Sequence, residues 1–291
     1  MSIHAFDYFG RAFTQCVSHT LETGRPMLEH LSRQGDCCAQ MFLAGPKKYD
    51  AEFVSALRAI EQSRYAEALT KLLPLAEQAD VCAQRMVGVF YLCFSAYDLR
   101  LAAQEAAPEV NAVIRGKAGP WLDLAAKAGD TEAQFLLGRE YRQGHAGFEE
   151  DKDKSFALLL AAAQQDHAEA QSLVSAHYFE IGANDEAFRW CCRSAENGYA
   201  LGQYTLGRLY ADGERARRNR VLAYYWFSRA VLQNDWAFGS EFRGDRRALT
   251  REMSPQQLTR AKQLVNEYKR SIRQETETNE PITAVQGRNI G

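Results

Sequence analysis

Nearly the same dozen residues recur along this chain, and that recurrence constrains its fold more than any other feature. AQFLLGREYRQG runs from Ala133 to Gly144, GQYTLGRLYADG from Gly202 to Gly213, and the related AQSLVSAHYFEIG begins between them at Ala170. Self-similarity at a spacing of roughly 20–50 residues marks a stacked array, because one such unit cannot bury its own apolar face. The length fits this: 291 residues lies at the upper edge of the roughly 250–300 at which a single compact core stops growing.

The copies align on an Ala-Gln dipeptide at Ala39-Gln40, Ala83-Gln84, Ala133-Gln134 and Ala170-Gln171, with Gly202-Gln203 in the last. A small residue follows at Gly88, Gly138, Ser175 and Gly207, and a tyrosine three later at Tyr91, Tyr141, Tyr178 and Tyr210. Trp121, Leu158, Trp190 and Trp226 occupy one equivalent position upstream, each followed one turn later by Ala125, Ala162, Ser194 or Ala230. This reads as two antiparallel helices per unit. Helix A starts at the Ala-Gln pair and stacks 133, 137 and 141 on one face. Glycine at 138 lets a neighbouring backbone approach, and helix B sets a large tryptophan against small partners. Removing one such tryptophan is expected to cost roughly 3–5 kcal/mol.

The pattern A-Q-x3-G-x2-Y-x2-G, an acidic glycine-containing loop (HAGFEEDKD) and then A-x2-W-x3-A resembles the Sel-one-like repeat, within the tetratricopeptide-like α/α solenoids. The resemblance is specific over about residues 121–235 and weaker over 50–120. It implies an all-α superhelical solenoid of antiparallel helix pairs, and a role as an adaptor for protein complexes. The unit from 170 to 202 departs by lacking the glycine loop, and residues 95–120 form an insertion that is either an extra helix or a degenerate repeat.

The expected organisation has an imperfect helical cap at 1–50, a repeat array at 51–253, a C-terminal capping helix at 254–273 and a disordered tail at 274–291. Ser254, Pro255 and Gln257 supply the N-cap, N1 and N3 of that last helix. The tail is polar and unpatterned.

Positions 135, 139 and 142 of helix A and their equivalents vary between copies, as Phe135, Arg139 and Arg142, then Ser172, Ala176 and Phe179, then Tyr204, Arg208 and Ala211. At about 100° per residue they share one stripe away from the packing face, so they are expected to face solvent or a ligand. Phe135, Arg139, Arg142, Phe179, Tyr204 and Arg208 are the candidate partner-binding residues, since aromatics beside arginine match interface composition. Residues 201–273 carry 15 Lys+Arg against 7 Asp+Glu, and Arg215, Arg217, Arg218 and Arg220 form a second candidate, a patch for an acidic partner. Nucleic acid is the disfavoured partner there, because no recognised motif or aromatic platform accompanies the arginines; a wet interhelical loop is the plain alternative.

Nothing points to catalysis, and no catalytic or metal residue and no cofactor is assigned. Cys37-Cys38 and Cys191-Cys192 are vicinal, the histidines lack zinc-site spacing, and Glu149, Glu150, Asp151 and Asp153 suit a helix start. Seven cysteines without CxxC argue against a disulfide framework and for a reducing cytoplasm. The repeat style suggests a bacterial source, and no apolar run reaches the roughly 18 residues of a membrane span.

Overall fold

The computed structural model describes residues 51–62, 64–93, 116–144, 147–213, 217–232 and 239–278. The expected cap over 1–50, with its Ala39-Gln40, most of the 95–120 insertion, Arg215 and the tail past 278 lie outside the described residues. Those residues form twelve α-helices and no strand: α1 (Ala51–Glu61), α2 (Tyr65–Glu77), α3 (Val81–Cys93), α4 (Ala118–Lys127), α5 (Thr131–Gln143), α6 (Lys152–Gln164), α7 (Ala168–Glu180), α8 (Asn184–Glu196), α9 (Ala200–Asp212), α10 (Arg220–Leu232), α11 (Gly239–Glu252) and α12 (Pro255–Thr278). The chain divides into two compact units between His177 and Tyr178. In the first, each helix from α1 to α5 packs on the next; in the second, α8 packs on α9, α9 on α10, and α10 on both α11 and α12. The all-α class of successive helix pairs is the one the repeats demand.

Helix A begins two residues before the Ala-Gln pair, which places the alanine third in the helix. Its N–H is donated to a capping side chain: Ala83 to Asp80 at 2.7 Å, Ala133 to Asp130 at 2.8 Å and Ala170 to His167 Nδ1 at 3.1 Å. The glutamine does something that spacing alone does not reveal. Gln84, Gln134, Gln171 and Gln203 each donate Nε2 at 3.1 Å to the carbonyl eight residues upstream, Ala76, Ala126, Ala163 and Ala195. Each acceptor is the penultimate residue of the preceding helix, one of the terminal carbonyls that a helix cannot satisfy internally. The repeated glutamine therefore stitches the ends of α2, α4, α6 and α8 to the starts of α3, α5, α7 and α9.

The other repeated residues also have places. Gly144 and Gly213 end α5 and α9 with φ of 58° and 75°, left-handed geometry that favours glycine. The tyrosine carbonyls accept the backbone N–H that starts the next helix, Asp151 to Tyr141, Ala183 to Tyr178 and Asn219 to Tyr210, at 2.9–3.0 Å. The shortened 170–202 unit closes with the same bond despite its missing loop. Asp151, from the acidic run, caps α6 by accepting the Lys154 N–H at 2.9 Å.

Two packing expectations need correction. The small residue of helix A faces a side chain rather than a backbone. A Cβ at Gly88 would lie 2.6 Å from Leu122 Cγ, at Gly138 2.9 Å from Leu159 Cγ, and at Gly207 2.6 Å from Phe227 Cδ1. In these three copies the residue that fills the notch follows the tryptophan position by one; Leu122, Leu159 and Phe227 are buried, as are Cys191 at the equivalent position and Trp226. Trp121 and Trp190 are only half-buried, with Arg193 lying 4.9 Å from the Trp190 ring. The roughly 3–5 kcal/mol expected for any one tryptophan thus fails for Trp190, whose ring covers the core from outside.

The expected capping box of the last helix is present. Ser254 N–H donates to Gln257 Oε1 at 3.0 Å, and Gln257 N–H to Ser254 Oγ at 3.2 Å. The helix runs past the expected end at 273, to Thr278. Ala261 and Val265 are buried, and Tyr268 meets Arg229 of α10, whose guanidinium lies 4.1 Å from the Tyr268 ring and 4.8 Å from Trp226.

Candidate functional site

The variable stripe of helix A is not uniformly exposed, which corrects the expectation that it faces solvent or a ligand throughout. In the first unit Phe135 is 1% exposed and stacks on His167 with ring centroids 4.3 Å apart. Arg139 lies over that ring at 5.6 Å and reaches Glu140 at 3.4 Å, and Arg142 is half-buried. The neutral His167 ring is held at both nitrogens, Nε2 standing 3.1 Å from Glu132 Oε2 while Nδ1 accepts from Ala170; the charged ring keeps the Glu132 contact and gives up the Ala170 bond. Burial pulls the histidine pKa down, but the Glu132 hydrogen bond and charge, with Glu169, outweigh it and raise it above the ordinary value. This cluster ties the start of α7 to the start of α5. It is a structural joint.

The second unit is different. Tyr204 is 5% exposed, stacked 4.5 Å from Phe242, yet its hydroxyl reaches Glu241 Oε1 at 3.0 Å and Asp245 Oδ2 at 2.7 Å. Burial first, and then these two carboxylates, push its pKa far above the ordinary phenol value, so the hydroxyl stays a donor. Tyr204 forms part of the wall of an open groove of about 470 Å³, lined also by Phe179, Leu201, Thr205, Arg208, Leu209, Asp212 and Glu241. Three of the six candidate residues, Phe179, Tyr204 and Arg208, come together there. Phe135 and Tyr204 themselves belong to cores, so truncating them tests folding rather than binding.

The sequence reasoning missed Leu201, Thr205, Leu209, Asp212, Glu241 and Asp245. The open face of α9 runs through 201, 205, 208 and 212, the i, i+4, i+7, i+11 spacing of a helix stripe. It is turned from the expected 204, 208, 211 stripe by roughly 60° at about 100° per residue. A fixed spacing was available to show it; comparing copies was not enough, because Phe135 and Tyr204 vary while filling the same kind of buried slot.

The arginine patch is largely engaged within the molecule. Arg218 and Arg220 both reach Glu252 of α11, at 3.2 and 3.4 Å, and Arg218 Nε donates to the Ala211 carbonyl at 3.0 Å. Arg217 is exposed, and Arg215 lies outside the described residues. Two of the four arginines thus fasten the loop that follows α9 to α11.

Reactive chemistry gains no support among the described residues. Cys191 is buried and pushed up to about 12, and Cys192 to about 11, burial being the main cause in each; both thiols stay protonated and poorly nucleophilic at neutral pH. No group of three or more His, Cys, Asp or Glu among the described residues is arranged to hold a metal ion. No helix among the described residues is long and apolar enough to cross a membrane.

Helix pairs joined by short turns, a glutamine stitch at four of the joints and an open face on one helix of a pair define an α/α repeat protein. The particular repeat is the Sel1 repeat, which matches residues 131–167, 168–199 and 200–235. The chain thus carries three Sel1 repeats. It is similar to proteins named chitin synthase regulator SKT5, 31% identical over 121 residues in Malassezia restricta and 30% identical over 118 in Saccharomyces cerevisiae. These alignments take in 39% and 38% of this chain, but only 8% and 17% of the regulators. Both relatives are fungal and lend nothing to the expected bacterial source. The crystal structure of a Sel1 repeat protein from Oxalobacter formigenes shares the fold, with a TM-score of 0.51 at 23% identity over 63% of this chain and 71% of that one.

Proposed function

We propose that this chain is a non-enzymatic adaptor that binds a protein or peptide segment through the open helix-A face of its third Sel1 repeat. The observation that carries the reading is the groove along α9, where Phe179, Leu201 and Leu209 line a surface recess beside charged Arg208, Asp212 and Glu241. Apolar surface with a polar border is interface composition, and Ile181, in the turn just after Phe179, is 62% exposed. The fungal relatives are named as regulators of an enzyme, a role that accords with an adaptor. Their match covers a small part of them, so the regulated enzyme is not carried over. Docking of an acidic partner on the arginines is the weaker reading, because Glu252 already occupies Arg218 and Arg220.

A photo-crosslinking side chain at Thr205, in the groove, is compared with one at exposed Arg251, outside it. A protein adduct specific to position 205 is expected from native lysate. Equal labelling from both positions, or none, would remove the groove from the function.

A further inference from the structure

The groove carries more information than its apolar lining. Its carboxylates outnumber its cations: Asp212 and Glu241 face one arginine, Arg208, and Asp245 adjoins through Tyr204. Glu241 and Asp245 sit one turn apart on α11 and both accept from the single Tyr204 hydroxyl. One phenol has one proton. It therefore holds two carboxylates close together while neutralising neither.

The neighbouring arginines do not answer this charge. Arg246 turns to Ser228 Oγ at 3.5 Å and lies 5.9 Å from the Tyr224 ring, and the Arg243 guanidinium lies back over Gly239. Among the described residues no ion pair joins Glu241, Asp245 or Asp212 to a basic side chain. Around them the region is basic, with 15 Lys+Arg against 7 Asp+Glu over 201–273, so this is a local acidic pole in a basic setting. The apolar part lies next to it: Leu201, Thr205 and Leu209 ascend one face of α9, opposite Phe179.

We propose that the groove selects a partner segment that presents a lysine or arginine side chain next to a large apolar one. The cation sits against Glu241 and Asp245, and the apolar side chain enters between Phe179, Leu201 and Leu209. This rests on the adaptor reading above and names the chemistry of its partner. A cation there relieves the repulsion of two like charges and satisfies lone pairs that the Tyr204 hydroxyl leaves open, which an apolar or acidic segment cannot do.

The test is selection from a phage-displayed library of random dodecapeptides on the full-length protein. Three baits are used: wild type, the isosteric Glu241→Gln/Asp245→Asn variant, and Leu201→Asp, which places a charge in the apolar part. Wild type is expected to enrich peptides with Lys or Arg close to a large apolar residue. The isosteric variant should keep the apolar preference, lose the basic one, and bind the wild-type peptides about tenfold more weakly. If peptides blocked by Leu201→Asp show no basic enrichment, or the enrichment persists in the isosteric variant, this inference is overturned while the adaptor reading stands. If nothing is selected that Leu201→Asp abolishes, the adaptor reading falls and this one with it. Should circular dichroism show the isosteric variant misfolded, exposed Arg208→Glu decides instead. It must tighten the selected basic peptides severalfold, and unchanged or weaker binding overturns the proposal.

Discussion

Gln203 is fully buried, and its Nε2 holds the Ala195 carbonyl at 3.1 Å. Gln203→Leu keeps the volume and removes that bond, while the Ala195 carbonyl still accepts the Gly198 N–H at 3.2 Å, so it should cost about 0.5–1.5 kcal/mol of stability, the usual net worth of one hydrogen bond; urea denaturation measures it. His167 gives a pH signature. Its pKa is raised on folding from an ordinary 6.5, so the stabilisation is complete below that value and is lost as pH rises through the folded one. The denaturation midpoint should therefore fall on going from about pH 6 to 8, and a His167→Gln variant should show a flatter profile. The recurrence of Ala-Gln was plain in the sequence, but the role of the glutamine was not. Its partner lies on another helix, where no within-helix period points.

At the level of elements, the notch between helix A and helix B sets the tolerance of each pair. Gly207→Ala would place a Cβ 2.6 Å from the Phe227 ring, and overpacking of that kind costs about 1–3 kcal/mol; adding Phe227→Leu should recover part of the loss. The turns between repeats point the other way. Gly129 and Gly198 take positive φ where helix B ends, and Ala79 does so at 66° without being glycine. Ala79→Gly should raise stability by about 1 kcal/mol, readable as a higher thermal midpoint. Asp166, at φ 64°, is not equivalent, because its carboxylate accepts from Gln171 at 3.2 Å. Helix order, the C-terminal capping box and the pairing of elements were legible in advance, since each rests on local spacing. The identity of the buried helix-B residue was not, because Trp190 and Cys191 differ by one position and their burial depends on which way the neighbouring pair leans.

For the molecule as a whole, contacts within each unit run mainly between successive helices, so damage should stay local, as expected for repeat arrays. Hydrogen exchange on Gly207→Ala should show faster exchange in α9 and α10 with α3 still protected; uniform acceleration along the chain would indicate a single cooperative body instead. Charge was legible only as a bulk property. The excess of arginine over 201–273 suggested an acidic partner, whereas individual contacts assign Arg218 and Arg220 to Glu252 and leave an acidic pole at Glu241 and Asp245. Summed charge says nothing about which side chains answer one another.

The four glutamine bonds also determine where such an array can be cut and rejoined. Each bond crosses from the last turn of one pair to the first turn of the next, so a segment excised at the pair boundary carries a glutamine with no carbonyl to hold and leaves a carbonyl with no glutamine. A segment excised within the loop between helix A and helix B keeps every such joint intact. For shuffling these repeats as interchangeable cassettes, the transferable module is helix B of one copy together with helix A of the next.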